Sequence, residues 1–254
     1  VTGLSYTLLE HAGPQQWPFA QGAAQGAARL YADGVFPTAD GRAKFSAATV
    51  RPTAEKRDAH YPFSLTTGRL RDQWHGASRT GTLGRLFGHA SEPMVELHPT
   101  DLARLRLNSG DLVTLKTRRG SIVLPAAASE NVSPAQAFVA MHWGGEFMAG
   151  AGVNTLTTSA FCPQSKQPEL KHAAVKLTKA ELPYRVMARA WLDADQALTR
   201  RAQVLQLLSG LPYAACVPFG REPDDKVGVW LHAASTEPLP DEVLARIEAM
   251  PQFQ

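Results

Sequence analysis

Along this chain the hydrophobic positions change their spacing twice, dividing it into three stretches. Residues 1–60 are rich in Gly, Ala and Pro and hold no long periodic segment. Asp33-Gly34 and Asp40-Gly41 are turn signals on either side of Val35 and Phe36. This stretch reads as an extended arm with short strands, continuous with a preceding domain and without a core of its own. From 61 to 180 the apolar residues fall in short β-prone runs separated by Gly, Pro, Asn and Asp. Pro62 to Thr67, Met94 to Leu97, Leu112 to Thr117, Ser121 to Ala126 and Gln136 to His142 read as strands, with a hairpin turn at Arg118-Arg119-Gly120. One short helix interrupts them, with Thr100 as its N-cap and Leu102 and Leu105 on one face. Many short strands around one helix predict a small, mainly β barrel.

The third pattern begins near residue 184. A strand from Arg185 to Trp191 leads to a helix capped by Asp193, whose apolar stripe is Ala197, Leu198, Val204, Leu205 and Leu208. Two strands follow, around Tyr213–Phe219 and Val227–His232, then a helix from Asp241 to Met250. The order βαββα predicts a small α+β unit over 184–254, packed on or beside the barrel.

Composition narrows the classes. A chain of 254 residues can bury a substantial core without disulfides or metals. Its 44% hydrophobic and 19% charged residues exclude a wholly disordered chain. The balance of 26 basic and 23 acidic residues, net +3, argues against a general nucleic-acid binder. No apolar run approaches the roughly 18 residues of a membrane span. Cys162 and Cys216 are the only cysteines and form no CxxC, which excludes a cysteine-only zinc site or an iron–sulfur cluster built from this chain alone. A disulfide between them is not expected. The opening VTGLSYTLLEH has no initiator Met, basic n-region or apolar h-region, so a fragment of a longer polypeptide is expected.

The common catalytic signatures HExxH, P-loop, GxSxG and GxGxxG do not occur. Two clusters stand out instead. The first is TTGRLRDQWHGASRTG, Thr66 to Gly81, which sets Arg69, Arg71 and Arg79 among small residues with Trp74 and His75. Gly68 at a strand end lets the backbone approach a ligand closely. Exposed N–H groups and arginines suit a phosphate, and Trp74 and His75 suit a heterocycle. The plain alternative is a basic, solvated loop with one aromatic anchor. The second cluster spans Val153 to Leu177, where Asn154 and the hydroxyls of Thr155, Thr157 and Thr158 can read the edges of a polar ring. Lys166 and Lys171 can neutralise an anion there, although a polar loop with a helix start explains the same residues.

Taken in order, TGR…QWH, VELHPTDLARLRLNSGDLV…RRGSI and N-x-LT…SKQPE-x-K resemble the molybdopterin-guanine-dinucleotide-binding domain of the dimethyl-sulfoxide-reductase superfamily, a double-psi β-barrel. QQWPF and RLYADGVF resemble the preceding family segment, so the likeness covers about residues 1–180. Within the superfamily, the assimilatory nitrate reductases are the most similar group. The resemblance implies a C-terminal part of a molybdenum oxidoreductase that reduces nitrate to nitrite, forming one wall of a bis-molybdopterin guanine dinucleotide site. Thr67, Gly68 and Arg69 match the strand-end turn that holds the dinucleotide. Gln73, Trp74, His75 and Gly76 match the stretch that lines it, and Asn154 and Lys171 match the later pterin contacts. Met141 to Gly144 match a further family segment whose part is less defined.

The resemblance also implies what this chain lacks. Molybdenum ligand and 4Fe-4S cysteines are expected in the remainder of the polypeptide, so no catalytic or metal-ligating residue is assigned here. The fragment alone is expected to be apo and inactive. Expected partners are the rest of the chain, an electron donor and a small oxyanion, with no nucleic acid and no membrane span, in a bacterial cytoplasm. The rival readings are a formate-dehydrogenase-type enzyme, a stand-alone molybdopterin or guanine-nucleotide binding module, and a nonspecific β-barrel interaction domain. On the first reading Thr67, Gly68, Arg69, Trp74, His75, Asn154 and Lys171 should converge on one concave face.

Overall fold

Ser5 opens the first helix of the computed structural model, which describes residues 3–47, 49–220 and 226–249. Two compact units divide the chain, Val1–Pro52 and Thr53–Gln254. In the first, helix α1 (Tyr6–Ala12) forms where short strands are expected, and no strand occurs among its described residues. The Ser5 hydroxyl accepts the Leu8 N–H at 3.1 Å, and Gly13 at φ +72° ends the helix, so both ends have their caps. Phe19 is the one buried hydrophobic side chain among the described residues of this unit.

The second unit begins with a barrel of six strands. They are β1 (Phe63–Gly68), β2 (Val95–Leu97), β3 (Leu112–Lys116), β4 (Ser121–Ala128), β5 (Gln136–Ala140) and β6 (Ala173–Lys179). In β1, Phe63, Leu65 and Thr67 are buried and Ser64 and Thr66 are not, the period-two signature of a strand with one face on a core. Helix α2 (Pro99–Leu105) sits between β2 and β3. Its N-cap is His98 rather than Thr100: His98 Nδ1 accepts the Thr100 N–H at 3.2 Å, and Pro99 occupies the first helical position, where no N–H is needed.

The barrel closes in the order β1-β5-β2-β4-β3-β6. β1 pairs with β5, and β2 with β4, in parallel; the other pairs are antiparallel. Exchanging the first three strands with the last three leaves this order unchanged, so the barrel has the pseudo-two-fold connectivity of the double-psi type. Closure removes every sheet edge. Its interior is filled by Leu65, Val95, Leu97, Val113, Leu115, Leu124, Val139 and Val175, all essentially inaccessible. The registers put the C-terminal ends of β1, β3 and β5 and the N-terminal ends of β2, β4 and β6 at one end of the barrel. The loops 69–94 and 141–172 therefore leave and return on that same end. β5 stops at Ala140, short of the His142 expected from its apolar run, because His142 turns its ring back to the first of these loops.

Residues 53–60 lie along the barrel and are held by one carboxylate. Glu55 accepts from Arg119 at 2.5 Å and from the Ala174 N–H at 2.7 Å, and Arg118 stands 3.3 Å away. Burial alone would raise its pKa, but the Arg119 and Ala174 hydrogen bonds and the two guanidinium charges outweigh burial and hold the carboxyl below its usual range.

The C-terminal part forms β7 (Tyr184–Asp193), α3 (Ala194–Leu207), β8 (Tyr213–Phe219), β9 (Lys226–Ser235) and α4 (Asp241–Glu248), the expected βαββα order. Its sheet runs β7-β9-β8, fully antiparallel. The expected end of α4 at Met250 lies outside the described residues. One position on α3 departs from the expected stripe. Leu198 is half exposed, while Arg201 lies buried between Ala197 and Leu205 because its guanidinium finds acceptors inside. Ala190, Leu192, Val204, Leu205, Leu231 and Ile247 form this unit's core, but Tyr213, Ala215, Val217 and Ala234 pack into the barrel's core instead. The outer edge of β8 is not free. It takes Met148 of the 141–172 loop opposite Ala215, with Ala149 N–H donating to Ala214 O and Cys216 N–H to Phe147 O, both at 2.8 Å. Cys216 itself is a free thiol in β8, its pKa pushed up to about 12 by burial. Among the described residues no helix is long and apolar enough to cross a membrane.

Candidate ligand-binding face

Both sequence clusters emerge at the barrel end described above, and short bonds lock them together. Thr67, at the end of β1, is buried; its hydroxyl donates to Leu170 O at 2.8 Å. The Lys171 ammonium crosses back to Thr67 O at 2.7 Å, and Thr66 donates to Lys171 O at 3.3 Å. The 104 positions between Thr67 and Lys171 are thus closed by a reciprocal pair of contacts. Gly68 adjoins them without room for a side chain: a Cβ there would stand 2.6 Å from Cε2 of the Phe138 ring on β5. Its carbonyl accepts the Met141 N–H at 2.8 Å, continuing the β1–β5 pairing past the strand end.

Beyond Gly68 the chain folds into a loop that is stapled internally. Arg69 and Trp74 are exposed, as are His75 and Gly76, and no heavy atom lies within 4 Å of a Cβ built on Gly76. Trp74 and His75 meet edge to face at 4.6 Å, and the Arg79 guanidinium lies over the Trp74 ring at 5.8 Å. Gln73 is buried and its amide is engaged at both ends, accepting from Thr80 Oγ1 at 2.7 Å and donating to Leu86 O at 3.1 Å. It shapes the loop from beneath. Arg71 is paired with its neighbour Asp72, whose carboxyl the Arg71 hydrogen bond holds below the usual range; His89 approaches the same carboxyl at 3.0 Å. Of the arginines in this cluster, Arg69 alone has no hydrogen-bond, ion-pair or ring partner among the described residues.

The residue that organises the loop is His142, which the sequence offers only inside the Met141–Gly144 segment. Its ring is buried, with Nε2 accepting the Leu70 N–H at 2.9 Å. Because Nε2 accepts, Nδ1 carries the proton and donates to His75 O in a short contact. One neutral imidazole so clips both ends of the Leu70–His75 turn. Burial lowers its pKa below 6.5; the bond to His75 O opposes this, while the nearby Arg69 charge adds to it. The signal that could have found it is a histidine two positions past a strand end and followed by Trp-Gly-Gly.

Asn154 lies in a 3₁₀ turn (Val153–Leu156) and is exposed. Two contacts hold that turn against the Trp143–Gly144 segment that follows His142 in the same 141–172 loop. Val153 N–H donates to Trp143 O at 3.1 Å, and a Cβ on Gly152 would fall 2.9 Å from both Gly144 Cα and Trp143 O, so only glycine permits the approach. Gly144 and Gly145 themselves face open space. Lys166 stands apart, over the Phe161 ring. Among the described residues, no group of three or more His, Cys, Asp or Glu could hold a metal ion.

The result is a barrel end with exposed backbone at glycines, an exposed indole, one unengaged arginine and a lysine at the rim, which is the donor set for an anionic, ring-bearing ligand. Residues 63–174 match the family described as "Molydopterin dinucleotide binding domain". The chain carries a domain of this family and belongs to the dimethyl-sulfoxide-reductase superfamily of molybdopterin oxidoreductases.

Its relatives include a nitrate reductase of Synechocystis sp., 42% identical over 181 residues, covering 70% of this chain and 25% of that protein. A nitrate reductase of Klebsiella oxytoca is 38% identical, over 54% of this chain and 16% of that protein. The F420-dependent formate dehydrogenase subunit alpha of Methanocaldococcus jannaschii is 34% identical, over 70% of this chain and 25% of that protein. The chain thus spans about a quarter or less of the length of these relatives. Among solved structures, an acetylene hydratase from Pelobacter acetylenicus matches at a TM-score of 0.41 and 19% identity, over 47% of this chain and 18% of that chain.

Proposed function

We propose that this chain is the dinucleotide-holding C-terminal part of an assimilatory molybdenum nitrate reductase, whose bis-molybdopterin guanine dinucleotide rests against the loop-bearing end of the barrel. What supports the reading most is the Thr67–Lys171 lock, which brings the two clusters together at one barrel end while leaving the Gly76, Gly144 and Gly145 backbone open. On this reading Arg69 and Lys171 supply positive potential for pyrophosphate or pterin, and Trp74, His75 and Asn154 face the rings. Gly76 lets the backbone approach. Thr67, Gly68 and Gln73 keep the loop backbone in place from behind. When bound, the molybdenum of such a cofactor supplies two-electron removal of an oxygen atom from nitrate; the residues here hold and orient the group. The 4Fe-4S cluster, the molybdenum ligand and the contact with an electron donor belong to other parts of the polypeptide. The enzyme works in the bacterial cytoplasm, and the isolated fragment is apo and inactive.

A formate-dehydrogenase-type enzyme is the second reading, favoured by the 34% identity to the formate dehydrogenase subunit. Turnover of nitrate against formate by the full-length enzyme separates the two.

The site is tested at Lys171. Lys171→Ala removes one charge-assisted hydrogen bond, worth about 1.5–3 kcal/mol. Molybdenum and guanine nucleotide per full-length protein should both fall, with an unchanged circular dichroism spectrum. Wild-type cofactor content in the variant would mean that the cofactor lies elsewhere.

A further inference from the structure

The C-terminal unit touches the two long site loops at several separate points. Arg201, buried on α3, donates to Cys216 O within its own unit at 3.2 Å. The same guanidinium donates to Gly81 O of the 69–94 loop at 3.4 Å and to Glu146 O of the 141–172 loop at 2.6 Å, and lies over the Phe147 ring at 4.9 Å. The edge of β8 pairs with Phe147–Ala149, as described above. Further along the first loop, Glu92 Oε2 accepts from Tyr213 at 3.0 Å and lies 2.9 Å from His232 Nδ1. Tyr213 and His232 are both buried residues of the C-terminal sheet.

A guanidinium out of water is costly unless its N–H groups find acceptors. Here the acceptors come from three chain segments, so the charge is satisfied only while all three are in place. Arginine suits the task because its planar fork presents several donors in fixed directions, whereas lysine has a single head. Any displacement of Gly81 or Glu146 strands a buried cation, which makes α3 sensitive to the position of both loops.

We propose that the C-terminal unit is a clamp on the two site loops, and that Arg201 is the positioning residue at its centre, fixing Gly81 and Glu146 in the arrangement that the dinucleotide meets. The clamp follows from the geometry alone; only its consequence for the cofactor rests on the function proposed above.

The test is amide hydrogen exchange on this chain without added cofactor, in wild type, Arg201→Met, Arg201→Lys and Tyr213→Phe. In Arg201→Met, amides of Ala77–Gly84 and Phe147–Ala149 should exchange at least about tenfold faster, while those of Leu112–Lys116 in the barrel keep their rates. Arg201→Lys should fall between wild type and Arg201→Met. Tyr213→Phe, which strands no charge, should speed exchange only around Glu92. Faster exchange confined to α3 and β8, with both loops protected as in wild type, would overturn the clamp. Should Arg201→Met not fold, the other two variants decide: loops protected as in wild type in both would overturn it equally. Molybdenum and guanine nucleotide content of the full-length Arg201→Lys enzyme separates this proposal from the function on which its consequence rests. Loosened loops with full cofactor content would leave the clamp standing and remove the cofactor from this face.

Discussion

Replacing His142 with leucine is expected to lower the stability of the chain by about 2–4 kcal/mol, because two main-chain groups on the buried ring lose their partner at once. The Leu70 N–H and the His75 carbonyl are both held by this ring, and leucine offers neither an acceptor nor a donor. The denaturant midpoint should fall at constant slope, and the full-length protein should lose cofactor, since the turn carrying Trp74 and Gly76 is no longer clipped. An unchanged midpoint would mean that water replaces the ring without cost. The same residue sets a pH dependence. Folding lowers its pKa below 6.5, so the unfolded chain takes up the proton first as the solution is acidified. Its contribution is therefore complete above 6.5 and is lost as pH falls through the lower, folded value. The Leu70 amide should exchange faster relative to the β3 amides at pH 5 than at pH 7.5, once intrinsic rates are divided out. His142→Leu should abolish that difference.

Gly84→Ala should cost about 3 kcal/mol or more, the upper end of what overpacking does, although it adds only one methyl group. Gly84 sits where the 69–94 loop meets the end of β8. A Cβ there would overlap the Gly220 carbonyl oxygen and stand 2.8 Å from the Phe219 carbonyl carbon. Those are main-chain atoms, with no flexible side chain to swing aside, so the loop or the strand must move as a body. The contrast with Gly68 is instructive, since a Cβ there meets the edge of a Phe138 ring, which can turn. Thermal unfolding of Gly68→Ala and Gly84→Ala in parallel measures the difference, and equal losses would show that the Gly84 contact relaxes.

The barrel strands are legible in the sequence because each carries its own period-two pattern between turn residues, and the C-terminal βαββα order is legible for the same local reason. Closure is not. β1 finds both partners, β5 and β6, far along the chain, and a parallel pair leaves no hairpin signal between its strands. The helix α1 goes unread because two capped turns without buried residues have no stripe to show. At the proposed site, Gly, Arg and Trp after a strand end mark the loop as unusual, but composition alone leaves a basic, solvated loop as an equal alternative and the family resemblance carries the assignment. The role of His142 is not legible beyond its place before Trp-Gly-Gly, since its partners lie 67 and 72 positions away and are main-chain groups that any residue type supplies. Arg201 does leave a trace. A lone arginine in register with Ala197, Val204, Leu205 and Leu208 sits on the buried face of α3, and a charge in that position needs interior acceptors. Leu198 misleads there because hydrophobicity alone cannot say which side of the helix meets the sheet.

The order of pairing in the barrel also bears on how the molecule is made. During synthesis from the N-terminus, β1 leaves the ribosome before the other five barrel strands, yet it has no neighbour until Gln136–Ala140 emerges and stays open on its other side until Ala173 follows. The loops carrying Trp74 and Asn154 meet Arg201 and Tyr213 later still, when α3 and β8 are out. The nascent barrel therefore exposes the apolar sides of its early strands until β6 emerges, and its loop-bearing end is finished only when α3 and β8 have followed. A ligand held there as proposed would meet loops whose last contacts are supplied by the C-terminal unit.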